Sequence, residues 1–426
     1  MSRGPPDGGP EPAFAGARYG RAPHAGVWRP DHRRGPIMNP PGSDGRAAAA
    51  PVHRYICLDS LRGICAVVVS LYHFNRFAID HVYVPMTYVT QNYFVTNGYL
   101  LVDFFFVLSG FIISTKYRAE LAKGLRAVDF MFLRIGRLYP LHAVVLIIVA
   151  ILFPILLPKS VSALHHRGLS DFISTALLIN STGGNHLADW NTPSWSISAE
   201  IWMYLCFCAL VKVYFVKDAI KFSLMALLCL GILTIFSKNG IDTTYDFGFI
   251  RCAYGFSLGV LVSIFFDILK IRSSNFLELI ITAIAIAAVS FGSKYVHLGV
   301  PIIFAFFVAV YAKETGLISK ILKNKILVSL GNRSYSYYLI HYILIIFYAG
   351  LLKYLKVFAN SCVNACRFGH QYVLSTVEDV ILTAIPVIVT YWLAGYFLKF
   401  VEIPSHKWAR KMVSGRMRSH KHLARA

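Results

Sequence analysis

Ten times between residues 56 and 401 the chain runs apolar for close to the length a helix needs to cross a bilayer. The runs lie near 56–78, 97–115, 137–157, 197–216, 220–237, 247–269, 276–293, 296–312, 334–355 and 378–401. In hydrocarbon each backbone N–H and C=O must be satisfied internally, so continuous runs of this length fold as helices. A membrane barrel would show short alternating strands instead. Of 426 residues, 56% are hydrophobic and 15% charged, which is too apolar for a soluble protein of this size. The expected fold is an all-α membrane protein, a bundle of about ten transmembrane helices over residues 53–404. Residues 1–52, rich in Gly, Pro, Ala and Arg without periodicity, read as a disordered segment. They hold no apolar core of a signal peptide, and Met38 is a second candidate start. Residues 405–426 read as a basic cytoplasmic tail.

The net charge of +21 suggests nucleic acid until its distribution is followed. Lys and Arg gather at the two ends and in alternate gaps between apolar runs: Lys116 to Arg137, Lys212 to Lys221, Lys270 with Arg272, and Lys313 to Lys325. The intervening gaps hold few. That is the positive-inside pattern, so both termini are expected in the cytoplasm and the partner surface is lipid, not nucleic acid. The protein reads as a multi-pass component of the cell's inner (plasma) membrane.

Six of the eight Cys lie in or beside apolar runs, where Cys acts as a small hydrophobe. Cys362 and Cys366 stand in a polar loop, as a disulfide or as free thiols. No metal-ligand Cys/His cluster is visible. The loop over 158–196 carries His165, His166 and STGGNHLADWNTPSW. It reads equally as a lid that contacts carbohydrate through aromatic faces and as an interfacial re-entrant helix.

Charges inside hydrocarbon mark function by default. The first run, DSLRGICAVVVSLYH, puts Asp59, Arg62, Ser70 and His73 on one helix face at three- and four-residue steps. Arg62 lies toward the cytoplasm and His73 about 16 Å further out. Asp103 enters the second run from outside, with Ser109 and Gly110 near its middle. Arg134 and Arg137 share a face at the cytoplasmic mouth of the third, in the geometry of an anion clamp. Glu200 opens the fourth, and His341 follows Ser334 to Tyr338 in the ninth. His73 is the candidate base, with Asp59, Asp103 and Glu200 as carboxylates able to orient it. Each has a plainer reading: Arg134 and Arg137 as topology signals, Asp59 with Arg62 as a structural pair, the His and Tyr residues as interhelical hydrogen bonders.

Six segments together resemble the acyltransferase-3 family of integral-membrane acyltransferases: LDSLRGICAVVVSLYH (58–73), GYLLVDFFFVLSGFIIS (98–114), FLRIGRLYPLH (132–142), PSWSISAEIWMY (193–204), SYSYYLIH (334–341) and VEIP (401–404). The resemblance implies a ten-helix enzyme that moves an acyl group, usually acetyl from acetyl-CoA, to a hydroxyl of an extracytoplasmic sugar or glycolipid. The donor is a substrate, and no permanently bound cofactor is implied. His73 matches the family's first-helix base, Arg134 and Arg137 its R-x-x-R donor motif, and Ser109 and Gly110 its SGF motif; Arg62 and Glu200 fall within two further motifs. Some relatives carry a soluble hydrolase-like domain at the C-terminus. Here a basic tail stands in that place, which implies completion of the transfer alone or hand-over to a partner. A transporter or flippase for a glycan or lipid-linked precursor is the competing reading. It calls for internal repeats, and none is evident.

Overall fold

The computed structural model describes residues 54–81, 92–156, 168–183, 190–268, 271, 273–363 and 376–423, with the backbone alone at 77–81, 349, 352–363, 376–383 and 417–423. Expectations about residues 1–52, His165, His166 and the Cys362–Cys366 pair fall outside the described residues or side chains. The chain order is α1 (Ile56–His81), α2 (Tyr93–Thr96), α3 (Leu101–Ala122), α4 (Ala127–Leu156), α5 (Leu169–Ala176), α6 (Ser194–Val211), α7 (Asp218–Phe236) and α8 (Gly248–Phe265). There follow α9 (Asn275–Phe291), α10 (Lys294–Tyr311), α11 (Leu317–Leu322), α12 (Lys325–Val363), α13 (Thr376–Phe397) and α14 (Ile403–Leu423). No strand occurs among the described residues.

Eight helical stretches are long and apolar enough to span a bilayer, the last running from Ala384 through α14 to Arg416. Of the other two runs expected from the sequence, 276–293 becomes the 17-residue α9 and 334–355 lies inside the 39-residue α12. The outer face matches lipid as a solvent. Ile147, Ile151 and Ile155 of α4 are all exposed at four-residue spacing, and Leu224, Leu227, Leu228 and Ile235 of α7 likewise. This is a multi-pass membrane protein.

Two close helix pairs form the centre. In α3 and α8, Asp103 meets Arg251 and, twelve residues on in both helices, Thr115 meets Ser263, so the pair runs parallel. Gly110 and Gly259 set the separation, because a Cβ on either would strike the carbonyl of Phe256 or Val107 respectively. Small residues let backbones approach where lipid offers no hydrophobic drive. The variants Gly110→Ala and Gly259→Ala must push the helices apart, at a cost of about 1–3 kcal/mol each, read as a lower thermal midpoint in detergent. In α1 and α12 the contact is Gly63 on Gly331, backbone to backbone. Arg62 meets Ser334 and Phe74 meets Tyr348, so this pair is parallel too.

Helices also occur in two regions outside the apolar runs. Within the long loop, α5 exposes Leu169, Ile173 and Leu177 along one edge, the pattern of an interfacial helix. The following turn is pinned to α6: the Leu178 carbonyl accepts from Ser198 Oγ at 2.6 Å and Trp202 Nε1 at 2.9 Å. Leu178 itself holds a left-handed φ of 55° to present it. Residues expected as a basic tail form most of α14. A π-helical turn, Leu398–Glu402, joins it to α13, and Ala409 and Val413 are buried.

Candidate active site

A cavity of about 140 Å3 opens between α1, α3, α4, α6 and α12. Three guanidinium groups stand on its wall, Arg62, Arg134 and Arg137, together with Ser109, Glu200, Tyr204 and Tyr338. Five residues read from sequence as candidates thus converge from four helices. Placing that much charge inside an apolar bundle costs free energy, and it persists where the groups are paired or used.

Each is held by local structure. The Gly63–Gly331 contact brings α12 against α1, and Arg62 uses it: Nε donates to Ser334 Oγ at 2.7 Å and Nη2 to the Gly331 carbonyl at 3.3 Å. Arg134 is 5% exposed, donates from Nη2 to Tyr117 Oη at 2.8 Å and lies over the Tyr117 and Phe130 rings. Its Nε is buried without a partner. Arg137, one turn on, is half-buried and within electrostatic reach of Glu402 and Glu200. Glu200 accepts from Ser109 Oγ and from Tyr204 Oη.

His73 and His341 are not on the cavity wall. Their rings face each other, 5.2 Å between centroids and tilted by 32°, and His341 lies 5.7 Å from the ring of Tyr338. Tyr338 lines the cavity, donates to the Pro193 carbonyl at 3.0 Å and shares a 2.8 Å hydrogen bond with Ser196. It is therefore shared by the cavity wall and the surroundings of His341. His341 is fully buried, and the hydrogen bonds it makes go to the backbone of Tyr337 and Tyr338 in its own helix. No side chain among the described residues bonds to its ring.

Four candidate residues are placed differently from expectation. None of the carboxylates proposed to orient His73 is bonded to it. Asp59 lies at the start of α1, off the wall, between Arg54 at 2.8 Å and Arg62 at 3.4 Å. Asp103 is wholly buried in a two-pronged pair with Arg251, whose Nε and Nη2 donate at 2.9 and 2.8 Å. Glu200 is held by Ser109 and Tyr204. Gly110 also differs: it lies inside α3 against α8, so its N–H serves the helix and offers nothing to a ligand.

Sequence reasoning passed over two residues. Arg251, a charge inside the 247–269 run, was visible by the same rule that singled out Asp103. Glu402 lies in the quoted VEIP segment; it accepts from Ser336 Oγ at 2.8 Å and lies within reach of Arg137 and Arg62.

A model of the acyltransferase-3 family, described as an acyltransferase domain, matches residues 55–395, which takes in the whole cavity wall. The chain belongs to this family. It is 22% identical over 398 residues to a protein of Staphylococcus aureus (strain COL) named "Putative O-acetyltransferase", covering 85% of this chain and 59% of that one. The acyltransferase-3 chain therefore spans less than two thirds of that relative's length. It is 31% identical over 162 residues to "Acyltransferase MdmB" of Streptomyces mycarofaciens, covering 37% of this chain and 39% of the other. No solved structure matches it.

Proposed function

We propose that this chain is a membrane O-acyltransferase that takes an acyl group, most simply acetyl, from acyl-CoA on the cytoplasmic side and gives it to a hydroxyl of an extracytoplasmic carbohydrate or glycolipid. The observation that carries this reading is the convergence of Arg62, Arg134 and Arg137 in one cavity within an apolar bundle. Family membership supports the reaction class. The alternation of basic gaps puts both termini and the Arg134–Arg137 mouth in the cytoplasm, where CoA is confined by its phosphates. His73 and His341 then lie about one helical turn outward of Tyr338, toward the acceptor.

In this reading the phosphates rest on the Arg134 and Arg137 guanidinium groups and the thioester lies along the cavity. The acceptor hydroxyl approaches the imidazole pair, and His73 removes its proton as the oxygen attacks the thioester carbonyl. CoA leaves as the thiolate, and the C–S bond is exchanged for a C–O bond. Arg62, already fixed by Ser334 and Gly331, is placed to stabilise negative charge on the carbonyl oxygen.

The test is transfer of labelled acetyl from acetyl-CoA to surface glycan in inverted vesicles. Arg134→Glu with Arg137→Glu should raise the KM for acetyl-CoA by about 10- to 100-fold, since one charge-assisted hydrogen bond contributes about 1.5–3 kcal/mol. Donor dependence that is unchanged in this variant would remove the clamp from the mechanism.

A further inference from the structure

The crossing of α14 over α4 extends the cationic mouth beyond the Arg134–Arg137 pair. Gly136 lies between these two arginines, and buried Ala409 lies between His406 and Arg410. A Cβ on Gly136 would run into that of Ala409, so the two helices touch at this point. The Trp408 ring packs on Phe132, 5.4 Å between centroids and tilted by 44°, and Arg416 lies over the same Phe132 ring at 5.1 Å, which fixes the crossing. His406 comes within electrostatic reach of Arg134 and Arg137 of α4 and of Arg410 of its own helix.

The charges that act most strongly on His406 are Arg137, Arg410, Arg134 and Lys116, all cationic. Lys116 comes from α3, its ammonium 5.2 Å from the ring of Tyr117, whose hydroxyl holds Arg134. Glu402 and Glu200 lie within electrostatic reach of Arg137, each also accepting from neighbouring hydroxyls, and neither is among the charges that act most on His406. Two ring or guanidinium nitrogens in the cluster, Arg134 Nε and His406 Nε2, are buried without a partner. Mutually repelling cations with unpaired nitrogens do not stabilise a fold; a bound polyanion satisfies both.

We propose that Lys116, His406 and Arg410 form, with Arg134 and Arg137, a phosphate-binding site walled by α14, and that its ligand is the phosphorylated nucleotide end of the acyl-CoA donor. The inference rests on the donor reading above and goes beyond it by making α14 part of the enzyme's binding surface. An anionic phospholipid headgroup offers the same chemistry, and the test separates the two.

The full chain in nanodiscs of zwitterionic lipid is titrated with CoA, with pantetheine (which lacks the nucleotide) and with adenosine 3′,5′-bisphosphate. The wild type should bind CoA about tenfold or more tightly than pantetheine, and should bind the bisphosphate alone. Combining Lys116→Ala, His406→Ala and Arg410→Ala should collapse that preference, whereas Lys116→Arg with Arg410→Lys should keep it. Undiminished preference in the alanine variant, with loss in the Arg134→Glu, Arg137→Glu chain, overturns the α14 site and leaves the donor reading intact. A wild type that ignores CoA and the bisphosphate but needs the three residues to bind vesicles containing phosphatidylglycerol overturns it in favour of a lipid contact. Acetyl transfer, assayed separately, reports on the enzyme reading itself.

Discussion

His73→Ala should slow acyl transfer about 100- to 10,000-fold, the range for loss of a general base. The same loss is expected for His341→Gln, although His341 lies 268 positions further along the chain. The argument is geometric. The two rings face each other at 5.2 Å, and the backbone groups that bond His341 belong to Tyr337 and Tyr338 of its own helix. An imidazole used to tie helices together would be hydrogen-bonded to a neighbouring helix instead. An acceptor hydroxyl or a water between the rings would bridge them and give the abstracted proton a second place to rest. The two losses should therefore be far from additive, because both variants disable one device. Single-turnover transfer from labelled acetyl-CoA measures this, with membrane insertion checked in parallel. Near-normal rates in His341→Gln would reduce that ring to packing and leave His73 acting alone.

Breaking the Asp103–Arg251 pair should have the largest effect on stability. Arg251→Met leaves a wholly buried carboxylate without its partner, and the expected cost is about 3–5 kcal/mol. Arg251 also donates to the carbonyls of Tyr99 and Thr243 and lies over the Trp195 ring, so its removal loosens three chain segments at once. The double replacement Asp103→Leu with Arg251→Met removes both charges and should recover most of the loss, since an apolar pair avoids the desolvation penalty. Equilibrium unfolding in detergent reads both. A single variant as stable as the wild type would mean that the pair is not holding the N-terminal ends of α3 and α8 together.

The long apolar runs were legible as helices because the bilayer allows little else, and α6, α7, α8 and α10 begin and end close to the expected residues. Boundaries failed where a helix starts polar. The run at 137–157 belongs to α4, which begins at Ala127 because Asp129 and Arg134 are tolerated there by burial and pairing. The cavity residues Arg62, Ser109, Arg134, Arg137 and Glu200 were legible for the opposite reason: each is a polar side chain where hydrocarbon was expected. Pairings were not legible. Asp103 finds Arg251 across 148 positions, and Ser336 finds Glu402 across 66, distances over which periodicity carries no information. The part played by Ala409 and Gly136 was equally hidden, because a close helix crossing leaves only two small residues as its trace.

Tyr338 lines the cavity, lies beside His341 and is tied to Ser196 and to the Pro193 carbonyl at the start of α6. Any sliding of α6 against α12 must therefore break these hydrogen bonds first, so the packing of the two helices and the surroundings of the imidazole pair are coupled through one hydroxyl.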